Sequence, residues 1–289
     1  MNLRMTRDDL SGRWRNALVF GGGALLAISS GAFAMQAGGL PPGLWLRNPI
    51  AWLVAGLLAL FIAQRGWLSG WTAPAALVVI ALSFIGAGQE GVHRWVELGP
   101  VQLNAAGLVL PIAIAGSDRD RGWFTAGCFV VIGALLAWQP DISQLVAFAL
   151  AAVVLAAARF GLRGALATVV LFAALVWACL VRPDPLLPVD HVEGIFAMAA
   201  SQSPVLAIAM AAGLAIAALS PLLLWNARAL RWKAAALAVY FSATSLAWLM
   251  GAYPVPLAGY GISFVLGWWF GAAALTANPS KTAQNQTIS

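Results

Sequence analysis

Ten runs of apolar residues follow one another along the chain, and they restrict its fold more than any other feature. The runs cover residues 17–36, 49–64, 72–88, 101–116, 123–138, 142–158, 163–181, 203–225, 233–252 and 261–277. A helix needs ~20 apolar residues to cross a bilayer, and most runs approach that length. Only 9% of the 289 residues are charged, against about 25% in a soluble domain. We therefore predict an all-α membrane protein of about ten transmembrane helices.

The basic residues are distributed unevenly between the two sides of such a fold. With the N-terminus in the cytoplasm, thirteen of the sixteen Lys and Arg residues are cytoplasmic, and Arg47, Arg94 and Arg182 are on the outer side. Cytoplasmic loops of membrane proteins carry an excess of Lys and Arg. The distribution predicts that both termini are cytoplasmic. It also explains the net charge of +6, so we expect no nucleic-acid partner.

No linker, low-complexity segment or internal repeat divides the chain. We predict a cytoplasmic N-terminal tail over residues 1–16, a single polytopic domain over 17–277 and a disordered cytoplasmic tail over 278–289. No small-residue cleavage site follows the first apolar run, which favours a first span over a signal peptide. Cys128 and Cys179 both lie in apolar runs, and we interpret them as buried small side chains rather than disulfide partners.

Six of the ten acidic residues are on the predicted outer side. They are Glu90, Glu97, Asp141, Asp184, Asp190 and Glu193. Acidic residues contribute little to membrane topology, so their position needs another explanation. A solvated outer surface is one explanation. We favour an outward-facing polar cavity, because these residues lie at helix ends, where a charge beside hydrocarbon is costly and marks a functional site.

The densest group of polar residues is Asp190, His191 and Glu193, between two long apolar runs. Asp190 or Glu193 could act as a general base, and His191 could assist it or bind an anion. The alternative is helix capping, since two acidic residues three positions apart suit the start of a helix. A cation site is disfavoured, because the second histidine, His93, is far away in the sequence. We expect no metal or other cofactor.

Three further outer segments carry information. Arg94 beside Trp95 could hold an anionic headgroup with the indole at the interface, or be an ordinary interfacial anchor. Asp141 could order the cavity, or cap the next helix by accepting bonds from the N–H groups of residues 143–144. The Pro- and Gly-rich stretch at residues 253–263 breaks the helix, which membrane proteins tolerate where backbone is buried in protein or lines a cavity.

Taken in order, these segments resemble the SEDS family, the shape, elongation, division and sporulation proteins of bacteria. The family's Gly, Arg-Trp and Leu-Gly-Pro pattern is similar to Gly91, Arg94-Trp95 and Leu98-Gly99-Pro100. Its Gln-Pro-Asp and Leu-Pro-x-x-His motifs are similar to Gln139-Pro140-Asp141 and Leu187-Pro188-x-x-His191. Its Pro-x-x-Ser-Tyr-Gly-Gly-Ser motif is similar to Pro256-x-x-Gly259-Tyr260-Gly261-Ile262-Ser263. The family has ten helices and cytoplasmic termini.

The resemblance implies a peptidoglycan glycosyltransferase in the bacterial inner (cytoplasmic) membrane. Family members polymerise lipid II-like units, in which undecaprenyl diphosphate carries a disaccharide, during division or cell-shape control. The expected partners are this substrate, membrane lipids and, as a candidate, a class B penicillin-binding protein. The implied catalytic residues are Glu193 as base, supported by Asp190 and His191. The implied substrate-binding residues are Arg94, Trp95, Asp141, Arg182, Tyr260 and Ser263.

Several positions depart from the family's pattern. Glu193 stands where the family has Asp, and the family's Glu and Lys after Leu-Gly-Pro are replaced by Gly107 and Leu110. Gly259 and Ile262 weaken the last motif. A divergent protein that binds a lipid-linked sugar or a penicillin-binding protein without polymerising therefore stays an open alternative. A small transporter is disfavoured, because the inner half of the chain lacks buried charges to line a path.

Overall fold

The computed structural model describes residues 7–65, 71–99, 101–117, 122–182 and 184–277. The helices and strands are α1 Arg7–Ala37, α2 Pro42–Trp45, α3 Arg47–Arg65, α4 Thr72–Leu82, β1 Trp95–Leu98, β2 Val101–Asn104, α5 Ala105–Ala115, α6 Gly122–Trp138, α7 Ile142–Leu180, α8 Ile195–Gln202, α9 Pro204–Leu219, α10 Arg231–Leu246 and α11 Ile262–Thr276. A helix or half of a helix overlaps each of the ten predicted runs, so the predicted helical membrane fold is confirmed.

Within the described residues, four helical segments are long and apolar enough to cross a bilayer. They are Gly12–Ala37, Pro42–Ala63, Ile142–Leu180 and Pro204–Leu224. The shorter helices α4, α5, α6 and α11 are also apolar and pack beside them. The chain is therefore a multi-pass membrane protein. The number of spans and the side on which the termini lie stay predictions.

The longest helix, α7, is two antiparallel helices joined at Gly161. Gly161 has φ 68° and ψ −162°, a conformation that glycine adopts without the steric cost of a Cβ atom. The rings of Phe148 and Phe172, one from each half, lie 5.9 Å apart, which shows that the chain reverses direction. The two predicted runs at 142–158 and 163–181 are thus correctly separate.

The helices differ in detail from the predicted apolar runs. Helix α1 begins at Arg7, so part of the segment predicted as an N-terminal tail is helical, and the tail itself stays a prediction. Residues 101–104 form a strand rather than the start of a helix, because Val101 and Leu103 alternate with polar residues and pair with β1 across a turn. An extra helix, α8, precedes α9 and begins after Gly194. Residues 1–6 and the predicted disordered tail at 278–289 lie outside the described residues.

The interior combines small residues with large aromatic ones. The rings of Phe241 on α10 and Trp268 on α11 stack with their centroids 3.9 Å apart. The hydroxyl of the fully buried Tyr240 donates to Oε1 of Gln144 on α7 at 2.5 Å, so these two buried side chains are hydrogen-bond partners. Cys128 and Cys179 are buried and free, as the sequence predicted.

Helices α1 and α9 cross at a point where only glycine fits. A Cβ atom on Gly23 would lie 2.7 Å from the backbone N of Ala217. A Cβ atom on Gly213 would lie 2.5 Å from the backbone N of Ala27. Helix association in a membrane relies on such close packing, because lipid tails are as apolar as the side chains themselves.

We predict that Gly23→Ala lowers stability by about 1–3 kcal/mol, the usual effect of overpacking. Gly22→Ala is the matched control, because a Cβ atom there would meet nothing within 4 Å. Thermal unfolding of both variants in the same detergent measures the difference. Equal midpoints for the two variants would show that the α1–α9 contact is not tight.

Candidate functional site

The outer segments singled out in the sequence meet at one end of the helix bundle. This end is formed by the turn before the hairpin, the hairpin β1–β2, the N-terminus of α7, the segment 184–194 and the loop 250–261. The first two residues of α3, Arg47 and Asn48, join them. We call this surface the polar face. Residues separated by more than 200 positions in sequence contact each other there.

Arg94 is the centre of the polar face. Its Nη2 donates to Oδ2 of Asp184 at 2.5 Å and to the carbonyl oxygen of Pro140 at 2.6 Å. Its Nε lies 3.9 Å from Oδ2 of Asp141. The side chains of Arg94 and Asp141 are 13% and 6% exposed, so the ion group is largely screened from water. A single guanidinium thus connects the hairpin, the start of α7 and the segment after α7.

The charge of Arg94 is held in place by its two carboxylate neighbours. Burial alone would lower the pKa of the guanidinium, but the negative charges of Asp141 and Asp184 outweigh it, and the pKa is raised. Arg94 Nε and Asp141 Oδ2 have no hydrogen-bond partner within the described part of the chain. Both atoms are buried and lie 3.9 Å apart, so they interact by charge rather than through a hydrogen bond.

Asp141 is the N-cap of α7, which confirms the capping role considered from the sequence. Its Oδ1 accepts from the backbone N of Gln144 at 3.4 Å and from the hydroxyl of Ser143 at 3.2 Å. The neighbouring Gln139 is buried and donates from Nε2 to Oγ of Ser83 at 2.6 Å. These bonds tie the Gln-Pro-Asp segment to the end of α4.

Glu193 is half-buried and held by its own turn. Its Oε2 accepts from the backbone N of Val189 at 2.8 Å. Burial raises the pKa of the carboxyl, and the negative charge of Asp184 raises it further. The hydrogen bond from Val189 and the positive charge of Arg94 lower it. The net effect is a raised pKa, and this is the direction that makes a carboxylate a stronger general base. Glu193 therefore shares an electrostatic environment with Arg94 and Asp184.

Neither Asp190 nor Glu193 caps helix α8, so the capping alternative for this group is wrong. The residue before α8 is Gly194, and no side chain caps that helix end. Asp190 is exposed, so among the three predicted catalytic residues it is the one least enclosed by protein.

His191 and Tyr260 lie against each other on the second half of the polar face. Their rings meet edge to face with centroids 5.5 Å apart, and the backbone N of Tyr260 donates to the carbonyl oxygen of His191 at 2.8 Å. Arg47 donates a hydrogen bond to the Tyr260 hydroxyl, and its guanidinium carbon lies 5.4 Å from the ring centroid. Arg47 is thus a second cation at this face, one that the motif comparison did not select.

Asn48 fixes the Pro- and Gly-rich loop. Its side chain is buried, and Nδ2 donates to the carbonyl oxygens of Leu257 and Gly259 at 2.9 and 2.7 Å. Its Oδ1 accepts from the backbone N of Gly261 at 3.3 Å. Sequence reasoning missed this residue, although an asparagine at the edge of an apolar run is itself a signal, because a buried amide needs partners.

Gly259 explains one departure from the family's pattern. A Cβ atom there would lie 2.4 Å from the carbonyl oxygen of Val192. The loop therefore packs directly on the backbone next to Glu193, and no side chain fits between them.

The remaining predicted binding residues have structural contacts of their own. Ser263 is buried and its Oγ accepts from the backbone N of Asn104 at 2.8 Å, which joins the hairpin to α11. Trp95 pairs with Asn104 across the hairpin. The guanidinium of Arg182 lies over the ring of Trp138 with 4.0 Å between its carbon and the ring centroid. Arg182 is exposed, so it is open to a ligand from solution.

The positions of the family's missing Glu and Lys lie in the packed interface between α5 and α11. A Cβ atom on Gly267 would lie 2.1 Å from the carbonyl oxygen of Gly107. Leu110 is fully buried. Apolar packing thus occupies the place where the family pattern would put two ionisable groups.

The described residues contain no group of three or more His, Cys, Asp or Glu side chains arranged to hold a metal ion. The two histidines have other contacts: His93 stacks on Phe84 with centroids 5.5 Å apart, and His191 lies against Tyr260.

Comparison with known proteins is informative at the level of structure. No protein-family model and no curated protein matches the chain. Two structures of the rod shape determining protein RodA from Thermus thermophilus match it at 17% identity, over 88% of this chain and 93% of theirs. The TM-score is 0.63 for an Asp-to-Ala mutant of RodA and 0.57 for the other structure.

A third solved structure describes the structural coordination of polymerization and crosslinking by a peptidoglycan synthase complex. It matches at 20% identity with a TM-score of 0.57, over 91% of this chain and 96% of the other. These likenesses define a multi-pass helical membrane protein with a SEDS-like fold, as predicted. The particular fold is that of RodA, and at these identities the likeness concerns the fold alone.

We predict opposite effects of two substitutions on the pKa of Glu193. Arg94→Gln raises it, because the positive charge that lowers it is lost. Asp184→Asn lowers it, because a negative charge that raises it is lost. Infrared titration of protein labelled with ¹³C-glutamate measures this directly, since the chain has only three glutamates. The difference from a Glu193→Gln sample identifies the band.

Arg182→Gln is the matched control, because it removes another cation from the same face. Arg94 contacts Asp184, and the charges of both residues act on the pKa of Glu193. Arg94→Gln should therefore shift this pKa more than Arg182→Gln does. Equal shifts for the two arginine variants would contradict the ion group described above.

We also predict that Asn48→Ala destabilises the protein by about 1–3 kcal/mol, since it leaves buried backbone groups unpaired. Hydrogen exchange should increase first in residues 253–261. Asn226→Ala, at an exposed position, is the control and should leave exchange in that loop unchanged. Unaltered exchange in both variants would mean that the loop is held by other contacts.

Proposed function

We propose that the protein is a SEDS-type peptidoglycan glycosyltransferase that polymerises lipid II-like units. The observation that carries the proposal is the half-buried Glu193, with a raised pKa, on the same face as the Arg94 ion group. This face is built from the four segments that resemble the family's motifs. The similarity to RodA and to a chain of a peptidoglycan synthase complex supports the same assignment.

Glu193 would act as the general base. The acceptor sugar hydroxyl gives its proton to the Glu193 carboxylate as its oxygen forms a bond to the anomeric carbon of the donor. The bond between that carbon and the diphosphate oxygen breaks, and undecaprenyl diphosphate leaves with the electron pair. The bond from the Val189 N–H orients the carboxylate for this step.

Cations would stabilise the leaving diphosphate. Arg182 is exposed, and Arg47 lies beside Tyr260 on the same face. Arg94 is engaged by Asp184, whose side chain is 35% exposed and comes from an extended segment. A diphosphate would replace Asp184 on Arg94, because the guanidinium binds phosphate and carboxylate oxygens in the same way. Trp95 and Tyr260 would line the approach, and the buried Ser263 would hold the hairpin in place through its bond with Asn104.

The second candidate function is binding without polymerisation. It is favoured by the tight α5–α11 packing at Gly107 and Leu110, where no ionisable side chain is present to assist catalysis. The protein would then hold a lipid-linked sugar or a class B penicillin-binding protein in the bacterial inner membrane. Under either candidate the process is cell division or cell-shape control.

We predict that purified protein in nanodiscs, with labelled lipid II and a class B penicillin-binding protein, forms glycan ladders that Glu193→Gln reduces by about 10²-fold or more. A general base contributes on the order of 10²–10⁴-fold to rate. Glu97→Gln, on the exposed hairpin, is the control and should keep activity.

The same gels separate the two candidates. No ladders with wild type, together with saturable lipid II binding by wild type and Glu193→Gln alike, would reject the polymerase and support the binding protein. Ladders of equal length from wild type and Glu193→Gln would reject Glu193 as the base.

A further inference from the structure

A cavity of about 150 Å³ lies at the opposite end of the bundle from the polar face. It opens between α6, the reversal of α7 and the start of α10. Helix α6 begins at the cavity and ends next to Asp141 of the polar face, which places the two sites at opposite membrane surfaces. None of the residues discussed for catalysis lines it.

The rim of the cavity is positively charged. Arg159, Arg228 and Lys233 line it, and no carboxylate of the described residues does. Arg159 lies across the start of α6, since a Cβ atom on Gly122 would be 2.6 Å from its Nε. Two helix N-termini, those of α6 and α10, open on the same cavity, and a helix N-terminus favours negative charge.

The interior of the cavity is apolar. Its wall contains Phe129, Val130, Leu155, Leu171 and Phe172 from α6 and both halves of α7. Small residues of α6 and α7, such as Ala156, leave the space that these larger side chains surround. A ligand that fits must therefore combine an anionic head with a hydrocarbon portion.

Aromatic residues locate this end at the membrane–water interface. Trp123 is 77% exposed and its ring lies 4.4 Å from that of Phe160, at the reversal of α7. Trp232 lines the cavity and lies against Trp225, with ring centroids 5.7 Å apart. Exposed Trp residues mark the depth of lipid headgroups. The cations are thus at phosphate level and the apolar wall is at acyl-chain level.

We propose that this cavity binds an anionic phospholipid of the adjacent leaflet. The phosphate lies between Arg159, Arg228 and Lys233, and one acyl chain follows the wall formed by Phe129 and Phe172. The distribution of basic residues predicts that this end is cytoplasmic, and the anionic lipids of a cytoplasmic leaflet attract basic side chains near the surface. The bound lipid would hold the α7 reversal against α6 and α10.

The test is native mass spectrometry of the full-length protein from micelles that contain equal amounts of phosphatidylglycerol and phosphatidylcholine with identical acyl chains. Wild type should retain phosphatidylglycerol in preference. Arg159→Gln/Arg228→Gln/Lys233→Gln should lose this preference by at least about 10-fold, since each cation near a lipid surface contributes roughly fivefold. Arg163→Gln, an exposed cation at the same end outside the cavity, should retain it.

A second pair of variants tests the apolar part. Ala156→Phe fills the cavity and should lower retention, whereas Ala157→Phe, exposed and outside the cavity, should not. Equal retention of the two lipids by wild type would overturn the proposal, as would unchanged retention in the triple variant. Displacement of the lipid by millimolar glycerol phosphate would also overturn it, because the site would then recognise free phosphate.

Discussion

The burial of Arg94 is the constraint on which the polar face depends. A guanidinium that is 13% exposed at the end of an apolar bundle must keep anionic partners, because leaving a buried charge unpaired costs several kcal/mol. Its partners come from the N-terminus of α7 and from the segment after α7, while Arg94 itself precedes the hairpin. The ion group therefore determines how three segments meet. Glu193 is affected by the same charges.

This arrangement links structure and the proposed chemistry. The cation that a diphosphate would need is already neutralised by Asp184, so substrate binding would require Asp184 to be exchanged for phosphate oxygens. The exchange costs less free energy for a partly solvated carboxylate than for a buried one. Asp184 is the more exposed partner and Asp141 the buried cap of α7. The first can leave while the second keeps the guanidinium oriented.

Much of the site was predictable as a set of segments. Arg94, Asp141, Glu193 and Tyr260 were selected from the sequence and lie on one face. Arg47, Asn48 and Asp184 were missed as contributors to that face, because their partners are 90 or more positions away or are backbone groups of another loop. Such partners leave no local pattern. Gly107 and Leu110 were noticed as departures, but only their packing against α11 shows that no polar space remains there.

The sequence by itself determined the class of the protein. Apolar runs of spanning length require helices in a membrane, since backbone polar groups in lipid must be satisfied internally. The separation of the runs at 142–158 and 163–181 was also visible in the sequence, whereas the need for glycine at the α1–α9 crossing comes from contacts between distant helices. Tertiary structure alone decided which polar residues interact electrostatically with Arg94 and which form hydrogen bonds in helix caps and loops. Electrostatic and hydrogen-bond energies depend on distance in space, and the order of residues along the chain does not encode that distance.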